Sequence, residues 1–580
     1  VESVIYFKKA INHVTANESE CHHCGNVNPE QIFNIIATKV VDEYGNITEQ
    51  RRIPPKTWNE VYHKEIDNQD IKTKNVEMPN GNYKIPKKIN QFKVFFIRDI
   101  LSKIANTQYM MINFLEGPFL AFILSYLVKF YSTESGPDAK YLFRYNENIT
   151  AYLFMSVVVA LFMGLTVSAE EIISDRKILK RETFLNLSRF SYLSSKVTIM
   201  FIISAIQTFT YIILGNFILG IESMYLDYWL ILFVSSSFAN MLGLNISSAF
   251  NSVVTIYILI PILLIPQLLL SGVIVKFDKL NPSLASQTVV PIAGEMMVSR
   301  WAFEALAVNQ FKENKFEKQY YLFDKAMSTA NFKRNFWIPA VKTRVTMCLN
   351  YYEKKERIQK FNHNLQTIKT ELSKEINQVL NIIEILNTNK NNLIPLKNYL
   401  PKERLESLKN ILKESKNIFT DPVVFNKDFA KKINYTLSNI KSFYTKYYNA
   451  HSKRKNIIIS QLQKKDNGKA LFLKKRDKFQ NESLSDLVKN NDELNKIISH
   501  DGILIQKSDP IYRESERLRA HFFAPSKVLF GKKIDTFWIN TLVIIMMSFL
   551  LFVSLYFDIL KKVVDWIGLL STKIGLSKES

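Results

Sequence analysis

Six apolar runs divide the chain: Tyr109 to Phe130, Ile149 to Ala169, Tyr192 to Leu214, Tyr228 to Phe250, Val253 to Val275 and Phe537 to Phe557. Each is close to the roughly 20 residues that an α-helix needs to cross a hydrocarbon core of about 30 Å. The pattern predicts an all-α membrane protein with six transmembrane helices, five of them clustered and the last set apart by a long polar interval. Just before the first run, Ile89 to Lys103 places apolar residues at 92, 95, 96, 100 and 101 and charges at 93, 98, 99 and 103. That spacing predicts an amphipathic helix lying in the membrane interface. The tail from Ile559 is amphipathic in the same way.

The polar interval is helical in its periodicity. Ile368 to Leu386 and Leu405 to Leu412 carry apolar residues at three- and four-residue spacing, and Pro395, Pro401 and Pro422 punctuate the runs. A helical hairpin or small bundle is expected there. Val273 to Phe311 is too polar and broken for a span, and predicts a re-entrant segment or lid. The expected divisions are residues 1–85, a connecting helix at 86–106, spans at 107–275 with a loop at 170–191, a lid at 276–311, a helical domain at 312–533, a last span at 534–558 and a tail at 559–580.

Charge orients these pieces. Arg176, Lys177, Lys180, Arg181 and Arg189 all lie between the second and third runs, whereas the links after the first and third carry Glu134, Asp138, Glu222 and Asp227. The positive-inside rule puts the basic loop and both termini in the cytoplasm, and residues 276–533 on the outer face of a plasma (inner) membrane. The net charge is +23 over 580 residues, and Lys312 to Phe530 holds 43 Lys and Arg against 23 Asp and Glu. The lysines are scattered among Asn, Ile and Leu without clustered arginine or a nucleic-acid module, so an envelope partner or a solvated face fits better than nucleic acid.

Within the spans, Asn113, Glu116, Gln207, Asn240 and Asn245 are costly in lipid and must face another helix, a dimer partner or a translocation pathway. Pro261 and Pro266 predict a kinked fifth span. Cys21-His22-His23-Cys24 has no second Cys or His pair to complete a zinc site, and three cysteines cannot build a disulfide framework. The chain contains no G-x-x-x-x-G-K-[ST] loop, hence no backbone cradle for ATP phosphates.

Several fragments occur in one order that resembles G-subfamily ABC transporters. Val4-Ile-Tyr6-Phe7 followed by Cys21 and Asn28-Pro29 is similar to the end of that subfamily's nucleotide-binding domain, with Glu30-Gln31 departing from the usual residues. Glu171, Arg176 and Arg181-Glu182 resemble its intracellular loop. Ser271-Gly272, Pro291 and Arg300-Trp301-Ala-Phe-Glu304-Ala-Leu resemble its signatures before the last span, with Trp301 in place of tyrosine. The long insertion looks like that of large bacterial relatives fusing ATPase and permease.

The resemblance implies a homodimeric exporter permease in a lipid bilayer. ATP and Mg²⁺ are expected on a nucleotide-binding domain, either ahead of Val1 in the intact polypeptide or on a separate chain. It implies ATPase coupling through Glu171, Arg176, Arg181 and Glu182, to which the charges at the cytoplasmic face add Arg98, Asp175 and Lys180, and its signatures Ser271, Gly272, Arg300, Trp301 and Glu304 fall in and beside the expected outer lid. Mechanical transmission to an envelope protein, or a scaffold without transport, are the alternatives.

Overall fold

The structure, a computed structural model, describes residues 2–11, 30–43, 45, 47–67, 86–131, 141–182, 187–354, 358–387, 401–417 and 425–576. Cys21, Cys24, Asn28, Pro29, Glu134, Asp138, Pro395 and Pro422 lie outside the described residues. The chain forms two units, Val1–Ile85 and Pro86–Ser580. In the first, helices Glu2–Ala10, Glu30–Ala37 and Pro55–Tyr62 accompany an antiparallel hairpin of Lys39–Val41 and Ile47–Arg51.

The second unit begins with a connecting helix, Lys88–Ala105. Five helices are long and apolar enough to cross a membrane: Thr107–Val128, one within Ile149–Glu182, Arg189–Leu219, Tyr225–Ala249 and Thr536–Tyr556. The fifth apolar run yields a shorter helix, Val253–Leu269, of 17 residues. It stops six residues before the predicted Val275 because Ser271-Gly272 turns the chain. Gly272 has φ +81°, and a Cβ there would lie 2.4 Å from the Phe277 ring, so only glycine fits both the backbone and the space. Pro261 and Pro266 both lie inside the helix and are exposed.

Burial ranks the spans. Tyr225–Ala249 has 83% of its apolar window buried and Thr107–Val128 only 22%. The central helix achieves this with small residues: a Cβ on Gly164 would meet the Ser236 carbonyl at 2.4 Å, and one on Gly243 would meet Ser168 Oγ at 2.0 Å. Close backbone approach replaces a hydrophobic driving force that lipid cannot supply. Helix Val298–Lys312, within the expected lid, is buried from Val298 to Phe311 and packs against the second, fourth and last apolar helices.

The insertion is mainly helical, as its periodicity predicts. Ile368, Leu372, Ile376, Val379 and Ile383 on Ile358–Asn387 are buried, in one core with Leu405, Leu412, Ile433, Leu437 and Ile440. It departs from the all-helical expectation in two hairpins, Ile497–His500 with Ile503–Gln506 and Ser526–Leu529 with Lys532–Asp535. Their two-residue turns, Asp501-Gly502 and Phe530-Gly531, have positive φ at both positions, the backbone that matches strand twist in tight hairpins. Four-residue strands are too short to stand out against the helical pattern around them.

Candidate functional site

At the end of the bundle where the connecting helix lies, the basic loop folds into helix Glu171–Glu182. Its first turn leaves backbone N–H groups without helical partners, and Ser247 Oγ accepts from Ile172 N and Ile173 N at 3.1 Å each. Arg176 completes the exchange. It donates to Asn251 Oδ1 and to the carbonyls of Ser248 at 3.1 Å and Phe250 at 2.9 Å, closing the C-terminus of Tyr225–Ala249, where a cation also suits the helix dipole.

Beside this joint lies a buried charge network. Lys196, 4% exposed, reaches Asp99 at 2.8 Å, Asp175 at 2.9 Å and Glu171 at 3.2 Å. Lys103 pairs with Glu171, and Tyr192 donates to Asp175 at 3.0 Å. One lysine on the third apolar helix thus holds carboxylates from the connecting helix and from the loop helix. Arg98 and Glu182 add a more exposed pair at 2.8 Å. Gln91 secures the connecting helix from its other side, accepting from Ser188 N at 2.7 Å.

The residues expected to act together therefore divide by direction. Glu171, Asp175, Arg176, Arg98 and Glu182 are engaged inside the bundle. Lys177, Lys180 and Arg181 are exposed, and Lys177 and Arg181 have no ion-pair partner among the described residues. Lys196, Lys103, Asp99 and Ser247 are missing from the expected set. Lys196 sits inside an apolar run, and a lone lysine there is the signal that points to it.

The intramembrane amides join helices within the chain. Gln207 Nε2 donates to the Asn113 carbonyl at 2.9 Å, Asn240 Nδ2 to Ser204 Oγ at 2.7 Å and Asn245 Nδ2 to the Leu551 carbonyl at 2.9 Å. Glu116 is half-buried and has no ion pair among the described residues.

At the opposite end, Glu304 and Lys527 form a fully buried pair at 2.6 Å, both 0% exposed. Asn540 of the last apolar helix accepts from Lys527 at 2.8 Å and donates to Glu304 at 2.9 Å. Arg300 lies 3.5 Å from Glu304 and 3.3 Å from Glu295, over the Trp301 ring. Burial drives the Lys527 ammonium down to about 8 against the pull of Glu304. Burial pushes Glu304 the other way, but Arg300 and Lys527 outweigh it and keep its pKa below the ordinary glutamate value. Ser271 closes its own turn, accepting from Val273 N at 3.2 Å.

Arg300, Trp301 and Glu304 are thus brought together, with Lys527 and Asn540 as partners that sequence spacing did not suggest. Lys312 pairs with Asp535 beside them. No group of three or more His, Cys, Asp or Glu able to hold a metal ion occurs among the described residues.

Residues 90–311 match the family model described as ABC-2 type transporter. The match takes in the first five apolar helices, the loop helix and Arg300-Trp301-x-x-Glu304, and leaves out the insertion and the last apolar helix. It supports an ABC transporter permease, and with the apolar helices it supports a multi-pass membrane protein. No curated protein matches the chain significantly.

Proposed function

We propose that this chain is the permease part of an ATP-driven, G-type ABC exporter. Six spans per protomer would form a homodimer in a bacterial inner membrane, with cytoplasmic termini and the insertion outside. ATP and Mg²⁺ bind on a nucleotide-binding domain, and helix Glu171–Glu182 receives its movement. The observation that carries this reading is the arrangement of that helix inside the ABC-2 match. It is capped reciprocally with Tyr225–Ala249 through Ser247 and Arg176, tied to the connecting helix through Arg98 and Lys103, and presents Lys177 and Arg181 outward. A push on the exposed face therefore reaches three elements as one body. Lys196, shared among three carboxylates, supplies contacts that can exchange when the helices shift.

The test pairs the chain with its ATPase domain in nanodiscs. Arg181→Glu with Lys177→Glu is expected to abolish the permease-dependent change in ATP hydrolysis while leaving thermal unfolding unchanged. Coupling that survives this double reversal counts against the reading.

A second reading, ATP-driven transmission to an envelope partner, draws on how firmly the insertion is joined to the bundle. Asn481 Nδ2 donates to the carbonyls of Phe143 and Asn146 at 2.8 Å each, and Lys527 binds both Glu304 and Asn540. Deleting 321–489 separates the two: surviving transport makes the insertion accessory, whereas loss of a partner-dependent activity with the spans intact favours transmission.

A further inference from the structure

The insertion and the Phe143–Tyr145 turn between the first two apolar helices enclose a cleft of about 530 Å³. Its size lies within the range of small-ligand sites. Its lining carries both signs of charge, basic groups on the Arg144 side and acidic and basic groups together on the Glu317 side. Arg144 is paired with Glu482 and, at 3.2 Å, with Asp477 Oδ1, which Arg476 Nε also approaches at 3.6 Å. Glu317, Asp324 and Asp509 are the acidic members, Asp324 paired with Lys455 at 2.6 Å and Asp509 accepting from Ser328 at 2.6 Å. Phe316 and Phe472, with ring centroids 5.4 Å apart, supply an apolar part of the wall.

The wall is incompletely satisfied. Arg144 Nε and Tyr320 Oη are buried without a hydrogen-bond partner, and Arg476 Nε, ion-paired with Asp477 at 3.6 Å, makes no hydrogen bond either, in a fold where such groups are normally paired. Glu317 is 6% exposed and, with Lys489, has no ion pair among the described residues. A simple anion would meet three carboxylates here, and a simple cation four basic groups. A ligand with one charge of each sign at its two ends meets neither objection.

We propose that this cleft binds a short peptide with free termini. Its carboxylate lies toward Arg144 and Arg476, and its ammonium toward Glu317. Because Arg144 belongs to the bundle side and Glu317 to the insertion, occupancy bridges the two. The site stands independently of the transport reading.

Calorimetric titration of the chain in lipid nanodiscs with trialanine tests it, alongside N-acetyl-trialanine and trialanine amide. Saturable binding of trialanine is expected, weakened at least roughly tenfold by blocking either terminus. Glu317→Gln is expected to remove the preference for a free ammonium, and Arg476→Met the preference for a free carboxylate. Thermal midpoints equal to wild type show that the variants are folded. Absence of saturable binding at millimolar trialanine overturns the proposal. So does equal binding of both blocked peptides and trialanine, which would mark nonspecific contact, and so does full-strength binding of N-acetyl-trialanine alone, which would mark a simple anion site.

Discussion

The two ends of the bundle both bury charge, but they do it differently. Beside the loop helix, Lys196 serves three carboxylates, with Lys103 as a second cation and exposures that rise to 19% at Asp175. At the opposite end Glu304 and Lys527 are sealed at 0% exposure; Asn540 bonds both, and Glu304 also accepts from Phe523 N at 3.1 Å with Arg300 3.5 Å away. Lys196 can lose one carboxylate and keep the others, whereas Lys527 has Glu304 as its one ion-pair partner among the described residues and would be left a bare charge in a dry interior. The first arrangement suits a joint that moves and the second one that stays shut.

The strongest way to break the contrast is at the sealed pair. Lys527→Met leaves the fully buried Glu304 charge with two neutral donors, Asn540 and Phe523 N, and an imperfectly oriented Arg300, and should cost about 3–5 kcal/mol in reversible unfolding. Adding Glu304→Gln should recover much of that loss, since both charges are then gone. Lys196→Met at the shared end should cost less, about 1.5–3 kcal/mol, because Lys103 still faces Glu171 and the site is partly hydrated. A loss as large as that of Lys527→Met would erase the distinction.

Packing between the ends offers an intermediate effect. Gly243→Val must displace Ser168, and overpacking of this kind costs about 1–3 kcal/mol, read from the same unfolding measurement.

Acid should loosen the insertion before the bundle. His521 is buried, accepts at Nδ1 from Arg513 and therefore donates from Nε2 to the Pro510 carbonyl. Burial and Arg513 hold it neutral, with its pKa well below the ordinary value, and burial brings His451 down to about 4. Both pKa values are depressed in the folded state, so the unfolded chain binds more protons as pH falls below about 6.5. Stability is full above that value and declines between about 6.5 and 4. Hydrogen exchange at pH 7.5 and 5.5 should show faster opening of segments around 447–455 and 510–523 in acid. A uniform response across both regions would remove the contrast.

Hydrophobic period and length alone determine the apolar helices, the connecting helix and the core face of Ile368 to Leu386, because each follows from local spacing. A lysine inside an apolar run and a Gly after a Pro-containing one are legible signals for Lys196 and the turn at Gly272, yet the apolar pattern carries the fifth span to Val275 and leaves Lys196 out of the expected set. Tertiary structure alone decides which charges meet. Arg176 is expected from the sequence to be an ATPase-coupling charge of the basic loop and proves to be the cap of a helix 71 to 74 residues away. Lys527 reads as one lysine among the 43 basic residues of the insertion and proves to be buried against Glu304 across 223 positions. The physical reason is range: helix periodicity acts over a few residues, whereas the partner of a buried charge is set by whichever distant element folds within hydrogen-bonding distance.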